Sequence, residues 1–170
     1  RKQRFGAALS DEERSMALAY EALVERSLSP LTAYSTWKHT PSYTAHTRAA
    51  YGASMPFPLK LLVPRQWRNR ECARLGNLGE EQAVAAAEEC YDALEARLPK
   101  TSTGRFFERG ACTLDALLYA HVSYHVHAPV ATEAMREALA GHPNLVAFVN
   151  AFAEATFSRA VPELPRAVPA

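Results

Sequence analysis

Three residues into the run Cys112-Thr113-Leu114-Asp115-Ala116-Leu117-Leu118-Tyr119-Ala120 stands one acid among mostly apolar neighbours. An Asp in the third position of a helix reaches back to the amide at the helix start, while the apolar residues behind it enter a core. Leu114, Leu117, Leu118 and His121 then fall at helical spacing on one face. A second run, His142-Pro143-Asn144-Leu145-Val146-Ala147-Phe148, starts a helix on a Pro and makes its first turn apolar at once. Two such segments put the C-terminal part of the chain into helices that share a core.

The rest of the chain reads as helix after helix. Ser10 caps the first, with Glu13 three residues on as a capping box. Met16, Tyr20, Leu23, Ser27, Leu31 and Tyr34 recur every three or four residues toward Trp37, so Pro30 should kink this helix without ending it. A second helix begins near Pro41 or Ser42, carries Tyr43, His46, Thr47, Ala50 and Tyr51, and ends at Gly52. Met55-Pro56-Phe57-Pro58-Leu59 forms an extended turn, because two closely spaced prolines forbid a helix. Pro64 is expected to open a short helix over 65–75, ending at Gly76.

From Gly79 to Leu98 the stripe Ala83, Val84, Ala87, Cys90, Tyr91, Leu94 and Leu98 predicts a buried face, and Pro99 a stop. Glu80, Glu81, Glu88, Glu89, Asp92 and Glu95 should form its solvated side. An irregular link holding Phe106 and Phe107 leads to the Thr113 helix, and helices over 132–140 and 143–157 follow.

Composition agrees with one all-α domain. At 170 residues and 48% hydrophobic the chain can bury a single sizeable core, and seven glycines with abundant Ala and Leu favour helices. Nineteen Lys and Arg against eighteen Asp and Glu leave a net charge of +1, without the basic excess of a nucleic-acid protein. No apolar run approaches the roughly 18 residues that a membrane span needs. Cys72, Cys90 and Cys112 form no zinc-like or Cys-x-x-Cys spacing, which points to a reducing compartment without structural disulfides. Arg1 stands where an initiator Met would be, so the chain reads as processed or as part of something longer. Asp11-Glu12-Glu13 follow the basic opening too soon for an acid-poor transit peptide.

Three features invite a functional reading. His121 and His125 lie four apart on one helix face, with His127 beyond. A zinc site needs a third ligand and an ordered surround, so core or interface histidines are expected and no metal. Arg65, Arg68, Arg70 and Arg74, with Trp67 among them, read as a solvated helix face or a protein interface, with contact to a membrane surface or to nucleic acid as the alternative. The tail repeats Arg159-Ala160-Val161-Pro162 as Arg166-Ala167-Val168-Pro169, with Pro165 between. It is expected to be extended and polyproline-like, either a disordered end or a partner-binding segment.

The pieces resemble, in order, the C-terminal half of the glutathione-transferase fold, and in particular the metaxins. They are a long first helix reaching Trp37, a Tyr-rich helix at Tyr51, the Pro56-Phe57-Pro58-Leu59 turn, the Leu114-Asp115-Ala116 helix with Tyr119, and His142-Pro143-Asn144-Leu145. The resemblance spans roughly 140 residues. It departs where that fold usually carries Ser or Thr three residues before the Asp. Cys112 stands there, a poor cap, so Thr113 takes over the cap or the helix start frays.

The resemblance implies a domain over 1–158 of six or seven helices, then the extended tail over 159–170. It also implies a role in mitochondrial protein sorting rather than glutathione chemistry, because no strand-rich segment is present to supply a thiol-activating residue. Tyr43, Tyr51 and Trp67 could at most wall a hydrophobic pocket. The expectation is a non-catalytic binding module of a mitochondrial membrane assembly, without cofactor, with the outer membrane favoured. Its partners would be protein subunits of that complex, touching Arg65, Trp67, Arg68, Arg159, Pro162, Pro165, Arg166 and Pro169. Nucleic acid would enter only if the host were a ribosome. The alternatives are an accessory subunit of a respiratory complex or mitochondrial ribosome, and the C-terminal half of a glutathione transferase.

Overall fold

The computed structural model describes residues 9–98, 103–108 and 110–157, and every regular element among them is a helix. Helix α1 (Asp11–Ala33) opens as its sequence dictates. Ser10 Oγ accepts from the Glu13 amide at 3.2 Å, and Glu13 Oε2 accepts from the Ser10 amide at 2.7 Å. The helix passes through Pro30 and widens into a π turn over Tyr34–Lys38. Its buried line is Ala17, Val24, Leu28 and Leu31, with Met16, Tyr20 and Leu23 only partly covered. The expected stripe is rotated by about one position because α1 packs between α5 and α6 rather than against one neighbour.

A second helical run comprises α2 (Thr40–Ser42), a π turn (Tyr43–Thr47) and α3 (Arg48–Gly52). Helix α4 (Leu59–Leu75) then corrects the expectation for Pro64, which lies inside the helix instead of opening it. The Pro-rich turn itself starts the helix: the Pro56 carbonyl accepts from the Lys60 amide, and the Pro58 carbonyl from those of Leu61 and Leu62. Pro64 removes the one amide that would have bonded the Lys60 carbonyl. That carbonyl faces Gly52 so closely that a Cβ there would sit 2.7 Å from it. A glycine at 52 therefore sets how near α3 and α4 approach.

Helices α5 (Glu80–Arg97), α6 (Thr113–His127), α7 (Glu133–Ala140) and α8 (Pro143–Thr156) complete the bundle. Ala83, Ala87, Cys90, Tyr91, Leu94 and Leu98 are buried on α5, as their period requires. Its acidic side is not wholly solvated, contrary to expectation. The two Glu95 oxygens accept from the amides of Asn144 and Leu145, each at 2.9 Å, and so close the start of α8. Asp92 meets His142 Nε2 at 3.0 Å beside them. Pro143 removes one orphan donor there, and Glu95 from another helix satisfies two more.

Helix α6 packs against α1, α7 and α8. Cys112 is its cap residue, buried with its thiol against Asp115, so Thr113 does not take over the cap. Thr113 is the first helical residue, and its hydroxyl donates to Glu21 on α1. Asp115 does the capping from inside the helix, accepting from the Cys112 amide at 2.8 Å and from the Phe106 amide at 2.7 Å. Burial pushes its carboxyl pKa up, opposed by those two amides and by Arg105. Phe106 and Phe107, buried in the link before it, join the core through this bond.

Candidate partner-binding site

Two clusters hold the chemistry-bearing side chains, one inside the bundle and one on its surface. Inside, Thr32 Oγ1 on α1 lies 2.7 Å from His125 Nε2 and 3.0 Å from His121 Nδ1. The Thr32 hydroxyl also donates to the Leu28 carbonyl at 3.0 Å. With its one proton so placed, both imidazoles must donate to Thr32. His125 then accepts on Nδ1 from the Tyr91 hydroxyl, 2.5 Å away. Burial, helped by His121 nearby, lowers the His125 pKa to about 3, so the ring stays neutral as this wiring demands. Burial also lowers His121, against Glu25, and raises the Tyr91 hydroxyl.

Next to this network Thr36 Oγ1 and Tyr124 Oη meet at 2.5 Å. The two histidines thus knit α1, α5 and α6 together, while His127 is exposed at the end of α6. Among the described residues no three His, Cys, Asp or Glu side chains gather as a metal site would need. Burial pushes the Cys90 thiol up to about 12 and, with Asp115 beside it, the Cys112 thiol up to about 11.

On the surface, α4 faces the run over 40–53 across an open groove. Tyr43, Arg48, Leu61, Arg65, Arg68, Asn69 and Cys72 line a volume of about 610 Å³. A shallower depression of about 260 Å³, formed by Arg48, Ala49, Gly52, Ala53, Lys60 and Leu61, continues it. Arg48 and Leu61 belong to both, and neither is lined by an acid.

The sequence-predicted residues of this face have different roles. Arg68 is not a free contact. Its Nε donates to the Trp37 carbonyl at 3.0 Å, its terminal nitrogen to Thr40 Oγ1 at 2.9 Å, and its guanidinium lies 4.3 Å over the Tyr43 ring. It caps a carbonyl left orphaned where the first helical run ends. Arg74 pairs with Glu71 at 2.7 Å. Arg65 is exposed in the groove. Trp67 is 40% exposed and packs edge-on against Trp37 and Tyr51, with centroids at 6.2 and 5.7 Å. These rings fill space against one another, and of the sequence-predicted three only Tyr43, itself largely buried, lines the groove, among mostly polar neighbours.

Residues 159–170, with Arg159, Pro162, Pro165, Arg166 and Pro169, lie outside the described residues. Arg48, Lys60 and the exposed Phe57, Leu61 and Leu62 escaped the sequence reading, which looked for helical stripes. The signal was present in the charge pattern: Glu71 is the one acid between Glu25 and Glu80.

The comparisons agree with this architecture. Residues 1–68 match the family described as outer mitochondrial membrane transport complex protein. Residues 87–152 match the glutathione S-transferase C-terminal domain. Among curated proteins, mouse metaxin-1 is 29% identical over all of this chain and 58% of its own length. Zebrafish metaxin-3 is 28% identical over 96% of this chain and 56% of its own. Mouse metaxin-2 is 27% identical over 82% and 54%. The chain therefore spans little more than half the length of these relatives. No solved structure matches it. The helical bundle and the two family matches agree: the chain resembles the metaxins and has the all-helical build of the glutathione-transferase C-terminal domain.

Proposed function

We propose that this chain is a non-catalytic binding module of the protein-sorting and import machinery of the mitochondrial outer membrane. The observation that carries the reading is a double one. Its first 68 residues match an outer-membrane transport family, and metaxins align over as much as the whole chain. The interior chemistry supports it. The ring nitrogens of His125 and Nδ1 of His121 are committed to hydrogen bonds that hold helices together. Cys90 and Cys112 are buried thiols held protonated, which makes them poor nucleophiles. Cys112, Thr113 and Asp115 serve the helix start.

Its partners are protein subunits of that assembly. Arg65 and Trp67 on the exposed side of α4 are the contact residues, and Arg68 holds that helix in place. Arg and Trp are the side chains that interface hot spots enrich. No helix among the described residues is long and apolar enough to cross a membrane. The test is import into isolated mitochondria lacking the chain. Labelled outer-membrane precursors should assemble more slowly, with recovery on adding it back. Unchanged import together with a lost glutathione-conjugating activity would replace this reading with an enzymatic one.

A further inference from the structure

We propose that Phe57, Leu61 and Leu62, with Arg48, Lys60 and Arg65 beside them, form a peripheral docking site for a membrane surface bearing anionic phospholipid headgroups. The proposal rests on the outer-membrane reading for the presence of a membrane, and says which residues meet it.

The apolar part is unusually open. Phe57 is 72%, Leu62 57%, Leu61 51% and Leu59 47% exposed, and all four stand at the turn between α3 and α4 or in the first turn of α4. Scattered surface leucines need no explanation, but a cluster at one end of a helix marks an interaction site. The cations around it are equally exposed. Among the described residues no acid pairs with Arg48, Lys60 or Arg65. Over residues 40–75 there are six Lys and Arg and a single Glu, Glu71, in a chain whose total charge is only +1. Arg48, Lys60 and Arg65 thus meet around one groove and its continuation, with no acid in the lining.

Apolar side chains flanked by Lys and Arg are the pattern of a segment lying in a membrane interface. Trp67 and Tyr51, half-exposed behind the cations, are the ring types that sit at headgroup depth. The cations are spread along an open groove of about 610 Å³ and its shallower continuation, rather than converging on one point. That spread suits several mobile headgroups better than one fixed carboxylate of a peptide.

Flotation of the full chain with vesicles tests the proposal, using phosphatidylcholine alone or mixed with phosphatidylglycerol. Binding should require the anionic lipid and weaken as salt is raised. The pair Phe57→Ser with Leu62→Ser, and the pair Arg48→Glu with Arg65→Glu, should each weaken it by at least about tenfold. The thermal midpoint of each should match the parent. Arg48→Gln with Arg65→Gln supplies a milder charge variant if the reversal disturbs folding.

Absence of binding to the mixed vesicles, or binding indifferent to both pairs, would overturn the proposal. So would capture of an acidic peptide through these cations without any vesicle binding. Co-purification with import subunits that survives failed vesicle binding would remove the lipid site and leave the proposed function standing.

Discussion

The Asp115 carboxylate holds the amide of Phe106 at 2.7 Å, and through it the link before α6 is pinned to the start of that helix. Its second oxygen takes the Cys112 amide, so one buried side chain satisfies two donors. Asp115→Ala leaves both unpaired in the core. We expect a loss of about 2–4 kcal/mol by urea unfolding, with Asp115→Asn intermediate because its single carbonyl oxygen accepts in place of two. An unchanged unfolding midpoint in the Ala variant would contradict this account of the helix start.

The sequence showed this acid because an Asp three residues into an apolar helix has few other uses, and it showed α5 because Ala83 to Leu98 repeat without interruption. It misled where turn carbonyls, or partners from elsewhere in the fold, decided the outcome. Pro64 looked like a helix start, yet the Pro56 and Pro58 carbonyls begin α4 earlier. Glu95 looked solvated until the start of α8 arrived to use it. Arg68 also serves the end of the first helical run, where the Trp37 carbonyl accepts from its guanidinium, a use with no local sign. Period reveals which face of a helix is buried, whereas long-range polar pairing leaves no local signature.

The His125 ring provides a pH dependence of defined sign. Its folded pKa, about 3, lies below its ordinary 6.5. The unfolded chain therefore binds the extra proton between those values, and stability falls as pH drops through that window. The slope from this one group approaches about 1.4 kcal/mol per pH unit. His125→Gln should flatten the slope by about one proton while lowering stability at neutral pH. An unaltered acid slope in the variant would show that His125 is not the titrating group.

At Gly52 the close approach of α3 and α4 makes a small substitution severe. A Cβ would stand 2.7 Å from the Lys60 carbonyl, which is backbone and cannot swing aside. Gly52→Ala should destabilise by about 1–3 kcal/mol in chemical denaturation, although Ala is intrinsically the better helix former. A stabilised variant would mean that the two helices part freely.

Glu95 acts at the other end of the bundle as an inter-helix cap. Glu95→Ala should cost about 1–2 kcal/mol and speed hydrogen exchange at Asn144 and Leu145 before the rest of α8. Uniform exchange along the helix would argue that another group closes it.

The most direct test of the functional account is where the chain resides and what it holds. Tagged chain should fractionate with the mitochondrial outer membrane and co-purify with subunits of its protein-transport complex. Arg65→Glu should reduce that recovery without lowering the thermal midpoint, and Trp67→Ala should reduce it while also losing the packing against Trp37 and Tyr51. Recovery instead with a respiratory complex or the mitochondrial ribosome, or as a free monomer that conjugates glutathione to an electrophile, would contradict it.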